Sequence, residues 1–243
     1  MSDDATPDGA TPKDSTPDGA TPDGATSGDA TSAGALERLL SRARGPMGPA
    51  IDLDFGWETG PLAELGTVLS SMNGFFLFNA GVQVFRAGDE GLGPDLLSWN
   101  AEETWKDTYD DLADDIFCFG QDLFGTQFGI IDGAKVVTLN PESAELTELG
   151  TSLNDWAAWL LEDPDVNGTA SFAYAYQKAN GALDPAERLI PRRFFVAGGG
   201  YDFDNFKVVD AATAMRIRGP IAQQVFDLPD GATLRLPSPN PFG

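Results

Sequence analysis

Histidine is absent from this sequence of 243 residues, and cysteine occurs once, as Cys118. Without histidine, the chain lacks the commonest general base of enzymes and the commonest side-chain ligand of transition metals. A single cysteine excludes an internal disulfide and a zinc site built from cysteines. One free thiol in a chain of this size is typical of a protein from a reducing compartment.

Long apolar runs are absent as well. No segment approaches the roughly 20 consecutive apolar residues that a membrane-spanning helix needs. The N-terminus has neither the charged region nor the apolar region of a secretory signal. We therefore expect a cytoplasmic protein that does not bind membranes.

Basic residues are scarce: 15 Lys and Arg stand against 38 Asp and Glu, which gives a formal net charge of −23. Such a chain repels nucleic acid, because binding there depends on Lys and Arg contacts to phosphate. It attracts a basic partner and accelerates the encounter with it. Solubility alone is the alternative explanation of the charge, and the sequence leaves both explanations open.

The first 34 residues form a low-complexity repeat with a period of five, as in "ATPDG", "ATPKD" and "STPDG". No large apolar residue follows Met1 in this segment, so it has nothing with which to build a core. We expect residues 1–34 to be a disordered acidic tail. The tail holds seven Asp and one Lys, so a charge of −17 belongs to the remainder of the chain.

Apolar residues at helical spacing predict several helices beyond the tail. The predicted helices cover 35–45, 61–74, 102–112, a segment that follows the candidate N-cap Ser152, and 166–178. Alternating runs between Asn, Asp and Gly turns predict a hairpin at 75–88 and an antiparallel meander over 115–149. Strands and a short helix are predicted after 178, with a final hairpin about Pro229, Asp230 and Gly231.

This order of elements predicts an α+β fold, because helices and strands do not alternate as βαβ units. We expect an antiparallel sheet covered by helices on one side, at 35–165, with a C-terminal α/β extension at 166–243 packed on it. The aromatic residues of "DIFCFGQDLFGTQF" and Trp156 on the helix after Ser152 are predicted to be core. Cys118, beside several aspartates and with no histidine in the chain, is predicted to be a buried, inert thiol.

Three segments together resemble the SMI1/KNR4 family, also called the SUKH superfamily. They are "LGTVLSSMNGFFLFNAGVQVF", "IFCFGQDLFGTQFGIID" and "KVVTLNPESAELTELGTSLNDWAAWLLEDPD". In order they match a helix before a glycine-containing strand, a strand ending in Phe-Gly, a strand with an NPES-type turn, and a closing helix with Trp. The resemblance runs from Pro61 to about Asp165, so residues 166–243 lie beyond the usual module.

The resemblance implies a binding role on an α+β scaffold. Bacterial members of the family are commonly immunity proteins that neutralise a toxin, often a nuclease, and fungal members regulate cell-wall synthesis through protein interactions. We therefore predict a cytoplasmic immunity protein that occludes its toxin. A regulatory adaptor that binds a housekeeping protein is the alternative within the fold, and a carboxylate-dependent hydrolase is the alternative from another class.

The densest acidic run, "DTYDDLADD" at 107–115, is the candidate partner-binding site. Its aspartates suit a patch that docks Lys or Arg of a basic toxin, and nearby aromatic residues are suitable anchors. The candidate residues are Trp99, Trp105, Tyr109, Asp110, Asp111, Asp114 and Asp115. A solvated acidic face without a partner is the alternative interpretation. We predict no catalytic residue, metal or cofactor.

Overall fold

The structure is a computed structural model that describes residues 34–228. The repeat tail, up to residue 33, and the predicted hairpin about Pro229, Asp230 and Gly231 lie outside the described residues. No helix in this described part is long and apolar enough to cross a membrane.

A six-stranded antiparallel sheet forms the centre of the fold, and its strands follow one another in the order of the chain. The strands are β1 (Phe75–Leu77), β2 (Val82–Val84), β3 (Ile116–Asp122), β4 (Gln127–Ile131), β5 (Lys135–Leu139) and β6 (Leu146–Gly150). The predicted hairpin and meander are therefore confirmed, and so is the α+β fold class. Short turns join β1 to β2 and join β3 through β6, because turn-forming residues divide these segments into short alternating runs, whereas the segment 85–115 separates β2 from β3.

One face of the sheet packs against α4 (Leu153–Glu162). Ser152 caps this helix in a capping box with Asp155, as the sequence predicts. Trp156 of α4 is 1% exposed and contacts the rings of Phe119 and Phe128 at centroid distances of 5.3 and 5.7 Å. The prediction that Trp156 belongs to the core is confirmed. Helices α1 (Ala35–Leu40) and α2 (Pro61–Ser71) pack against α4.

The other face of the sheet carries a row of buried glutamines, one on each of β2, β3 and β4. Gln83 pairs in register with Gln121, and Gln121 pairs with Gln127. All three are at most 1% exposed. Because neighbouring residues of a strand face opposite sides, Gln127 lies opposite Phe128 and faces away from α4. Helices were predicted on one side of the sheet, and this second covered face corrects that prediction.

The C-terminal extension covers this glutamine row together with the segment between β2 and β3. The extension contains α5 (Ala170–Asn180), β7 (Glu187–Pro191), β8 (Phe206–Asp210) and α6 (Ala211–Phe226). β7 and β8 form a separate antiparallel pair. Arg188 of β7 donates from Nη2 to Oε1 of Gln83, and Gln83 donates from Nε2 to the carbonyl of Pro185 at 2.9 Å. α6 has 16 residues, whereas the sequence predicts a short helix there.

The predicted helix at 102–112 is wrong. The chain forms three short 3-10 helices at Glu102–Thr104, Lys106–Thr108 and Asp110–Ala113, after a short α3 (Leu96–Trp99). Trp105 has φ −161° and Asp110 has φ 56°, and both values interrupt an α-helix. These breaks turn several bulky side chains of the segment toward the core. The first helix, predicted at 35–45, ends earlier, at Leu40.

Candidate functional site

The three aromatic residues predicted as partner anchors are buried, so that prediction is corrected. Trp99 is 2% exposed, and Trp105 and Tyr109 are 0% exposed. Their rings follow one another, with centroid distances of 6.1 Å for Trp99–Trp105 and 5.2 Å for Trp105–Tyr109. Their polar groups have internal partners: the indole of Trp99 donates to Gln127 Oε1 at 2.8 Å, and that of Trp105 donates to the carbonyl of Trp99. Buried aromatic side chains with satisfied donors are core residues.

The four aspartates of the predicted patch, Asp110, Asp111, Asp114 and Asp115, are exposed to solvent. They lie on and directly after the last of the three 3-10 helices. Asp107, which begins the run, forms a bidentate contact with Arg216 of α6, at 2.6 and 3.0 Å. The role of the aspartates in docking stays a prediction, and the aromatic side chains beside them do not contribute to this surface.

A cleft of about 600 Å³ lies elsewhere, between the sheet and the C-terminal extension. Its walls come from the β3–β4 turn, β5 and the loop after it, the α4–α5 connection, and the segment between β7 and β8. The lining residues are Asp122, Phe124, Thr126, Phe128, Thr138, Asn140, Pro141, Glu142, Trp159, Asp165, Val166, Asn167, Thr169, Phe172, Phe195 and Tyr201. The cleft therefore combines aromatic walls with three carboxylates.

Phe124 is the centre of one aromatic wall. Its ring lies 5.1 Å from Phe172, 5.8 Å from Phe195 and 5.5 Å from Tyr201, measured between centroids. Phe195 and Tyr201 stack on each other at 4.7 Å. Phe124 was predicted to be core and is 8% exposed, but it belongs to a cluster with the C-terminal extension and not to the main core. This cluster fixes the extension against the β3–β4 turn.

Asp122 builds the β3–β4 turn. Its Oδ1 accepts hydrogen bonds from the backbone N–H groups of Phe124 and Thr126, both at 2.8 Å. Gly125 completes the turn at φ 85°, a conformation that favours glycine. Burial raises the pKa of the Asp122 carboxyl, although the hydrogen bonds from Thr126 and Phe124 and the charge of Arg218 oppose that effect.

Glu142 is the second buried carboxylate, at 1% exposure. The "NPES" turn directs it inward: Asn140 Oδ1 accepts from the N–H of Glu142 at 2.9 Å. Oε2 of Glu142 accepts from the N–H of Val196 at 3.0 Å, while Oε1 accepts no hydrogen bond from the described residues. Burial raises the pKa of this carboxyl, and the charge of Arg218 and the N–H groups of Val196 and Phe195 oppose the shift.

Arg218 of α6 lies behind both carboxylates and is 0% exposed. Its Nε is 4.0 Å from Glu142 Oε1, and its Nη2 donates to the carbonyl of Leu189 at 3.2 Å. Burial lowers the pKa of Arg218, while Glu142, Tyr109 and Asp122 raise it. Arg218 is therefore the counter-charge that keeps two carboxylates inside the protein.

Tyr109 connects the acidic run to the cleft. Its hydroxyl donates to the carbonyl of Pro141 at 2.7 Å, directly before Glu142 in the chain. Burial raises the pKa of this hydroxyl, which therefore stays protonated as a donor. Sequence reasoning missed the cleft and its charges, although the NPES turn and the arginines of "AMRIRG" were visible signals.

Cys118 is buried in the core at 0% exposure, and burial raises the pKa of its thiol to about 12. The charge of Lys106 opposes that shift. A thiol that stays protonated at neutral pH is a poor nucleophile, in agreement with the prediction of an inert cysteine. Within residues 34–228, no three Asp, Glu or Cys side chains are grouped so that they could hold a metal ion.

Comparisons with known proteins leave the family open. No family model matches the chain, and no curated protein matches it. One similar solved structure is the crystal structure of Atu4351 from Agrobacterium tumefaciens, at 13% sequence identity and a TM-score of 0.46. The match covers 76% of this chain and 88% of that chain. Membership of the SUKH superfamily stays a prediction.

Proposed function

We propose that this chain is a SUKH-like immunity protein that binds a basic toxin, with nucleases as the first candidates, and neutralises it by occlusion. The distribution of charge carries the proposal. The described residues include 30 acidic and 13 basic side chains. Within residues 34–228, only two acidic residues, Asp122 and Glu142, are buried, whereas four basic residues, Arg86, Lys106, Arg188 and Arg218, are buried. Because folding buries more basic than acidic side chains, the ratio of acidic to basic residues is higher on the surface than in the described residues as a whole.

A surface of this charge accelerates association with a basic partner. Long-range attraction raises the rate at which oppositely charged proteins meet, and like charge suppresses other partners. The exposed aspartates Asp110, Asp111, Asp114 and Asp115 form the densest part of this surface along the chain. A protein that covers a nuclease in this way presents carboxylates where the nucleic acid would present phosphates.

Rescue from toxicity tests the proposal. Basic products of genes that neighbour this one in its source organism are expressed in a host cell, alone and together with this chain. We expect one product to be toxic alone, to lose toxicity with this chain, and to form a 1:1 complex measured by light scattering. A stable complex with a non-toxic housekeeping protein, without any rescue, would replace immunity by the regulatory adaptor.

A hydrolase is the second candidate, and the two buried carboxyls favour it. Carboxyls with raised pKa values beside a cleft are the groups that enzymes use as general acids. Asp122 and Glu142 meet this description, whereas the exposed run at 107–115 lies outside the cleft. Both carboxylates nevertheless accept backbone hydrogen bonds that hold loops in place. Substrate turnover by the purified chain that disappears in Glu142→Gln would favour this candidate over immunity.

A further inference from the structure

We infer that the cleft binds an organic cation, an ammonium or guanidinium group on an apolar stem, with Glu142 as the facing carboxylate. The lining includes three acidic residues, Asp122, Glu142 and Asp165, and no described Lys or Arg. Arg218 lies behind the floor and offsets part of this charge. Asp122 and Glu142 are buried in the lining and Asp165 is exposed, and the lining therefore carries more negative than positive charge and selects for a positive group.

Glu142 has the free acceptor capacity that such a ligand needs. Its Oε2 accepts from the N–H of Val196, and the N–H of Phe195 also stabilises the carboxylate. Oε1 accepts no hydrogen bond from the described residues and has only Arg218 Nε nearby, at 4.0 Å. A buried carboxylate oxygen without a donor is costly, and a cationic donor removes that cost. Asp122 differs, because its Oδ1 already accepts two backbone hydrogen bonds in the turn.

Aromatic rings complete the lining of the site. Trp159 and Phe128 lie 6.2 Å apart, and Phe195 and Tyr201 stack on each other at 4.7 Å. Cations are attracted to the faces of such rings, most strongly to tryptophan. The volume of about 600 Å³ exceeds that of a lone ammonium and is typical of sites for drug-sized ligands. An apolar stem is therefore part of the inferred ligand.

The cation has two possible sources that share this chemistry. It is either a free organic amine or guanidine, or a Lys or Arg side chain of a protein partner. The second source rests on the proposed function, because it makes the cleft a contact for the toxin. The cleft mouth suits both sources, since Tyr201 and Val166 beside it are 62% and 74% exposed.

The experiment compares a cation with its uncharged analogue. N-acetylarginine amide, N-acetylcitrulline amide and a capped pentapeptide with central arginine are titrated into the full chain. The indole N–H resonances of the five tryptophans are followed by NMR, because Trp159 lines the cleft. We expect a saturable shift of the Trp159 resonance with both arginine compounds, and binding of the citrulline amide at least about tenfold weaker. If the peptide binds more tightly than the arginine amide, the natural ligand is a side chain of a protein. If the two bind equally, the natural ligand is a free molecule.

Variants locate the binding to Glu142 and the aromatic wall. Glu142→Gln should weaken the arginine amide about tenfold and leave the citrulline amide unchanged, because only the cation uses the carboxylate charge. Tyr201→Ala, at a residue that is 62% exposed, should weaken binding of the cation severalfold, and it decides the question if the Gln variant does not fold. Asp89→Asn, with the same charge change at an exposed residue that neither lines the cleft nor belongs to the acidic run, is the control and should bind as the parent does.

Two results would overturn the inference: no saturable shift of Trp159 with any probe, or equal affinity for the arginine and citrulline amides. Toxin rescue is a separate readout. Cation binding without any toxin rescue would contradict the proposed function and support this inference. Toxin rescue without cation binding would support the proposed function and contradict this inference.

Discussion

Two acidic regions of this protein differ in what surrounds their carboxylates. In the run at 107–115, Asp110, Asp111, Asp114 and Asp115 face solvent, and their charges are screened by salt. Beside the cleft, Asp122 and Glu142 are buried with Arg218 and have raised pKa values. Exposed carboxylates act over distance and contribute little to stability, whereas buried ones must be matched by a partner within the fold. The first region suits encounter, and the second suits recognition.

The sharpest contrast between buried and exposed charge uses two arginines of one helix. Arg218 is 0% exposed against Glu142, while the side chain of Arg216 is 41% exposed against Asp107. Arg218→Met should destabilise the fold by about 3 to 5 kcal/mol, because Glu142 loses its buried counter-charge. Arg216→Met should leave the urea midpoint of unfolding nearly unchanged.

Urea unfolding followed by tryptophan fluorescence measures both variants. The double variant Arg218→Met with Glu142→Gln should recover part of the lost stability, because Glu142 then no longer leaves an unpaired buried charge. Equal midpoints for the two single variants would show that burial does not distinguish these ion pairs.

Removing the hydroxyl of Tyr109 should have an intermediate effect on stability. Tyr109 lies in the acidic run, and its hydroxyl reaches Pro141 beside the cleft. Tyr109→Phe removes the hydroxyl that donates to Pro141 at 2.7 Å. The buried carbonyl of Pro141 then lacks this donor, and we expect a loss of about 1 to 3 kcal/mol. Tyr174→Phe, at a tyrosine that is 55% exposed, is the matched control and should be neutral in thermal unfolding. A neutral Tyr109→Phe would remove the structural link between the two regions.

The pH dependence of stability should show the smallest effect. A carboxyl whose folded pKa is raised stabilises the fold fully at low pH, and that contribution is lost as pH rises through the folded pKa. For Glu142, burial raises the pKa, and the charged or titratable groups that face it are Arg218, Tyr109 and Tyr201.

The stability of the parent minus that of Glu142→Gln should therefore fall as pH increases above the ordinary carboxyl range. Asp155, whose pKa is lowered by its hydrogen bonds with Ser152 and Thr151, works in the opposite direction, but it is present in both proteins and cancels. Urea titrations at a series of pH values measure the difference. A difference that increases with pH would mean that Arg218 outweighs burial.

Local patterns in the sequence were sufficient for the hairpin, the meander and α4. Alternation and turn residues marked the six strands, and Ser152 with Asp155 marked the start of α4, but the pairing of β2 with β3 was not predicted. The 3-10 segment was missed, because its helical spacing of apolar residues is interrupted by the backbone conformations of Trp105 and Asp110, which depend on tertiary packing.

The cleft as a whole was not predicted, because residues far apart in the chain form it. The NPES turn at Glu142 and the arginines of "AMRIRG" are local signals, but nothing local shows that Glu142 and Arg218 meet. The glutamines Gln83, Gln121 and Gln127 form a row only because strand register aligns them. Charge density along the chain led to the exposed run instead, since density is visible in sequence and burial is not.

The central claim is that the run at 107–115 accelerates association with a partner and the cleft recognises it. The most direct test measures the affinity for the capped arginine peptide at low and high salt. Three proteins are compared: the parent, Glu142→Gln, and the variant with Asn at Asp110, Asp111, Asp114 and Asp115. We predict that Glu142→Gln binds about tenfold more weakly at both salt concentrations, because a buried carboxylate is screened little. The four-Asn variant should bind more weakly only at low salt, and its peptide association rate should fall there too. Loss of binding in the four-Asn variant at both salt concentrations, with Glu142→Gln unchanged, would contradict the account.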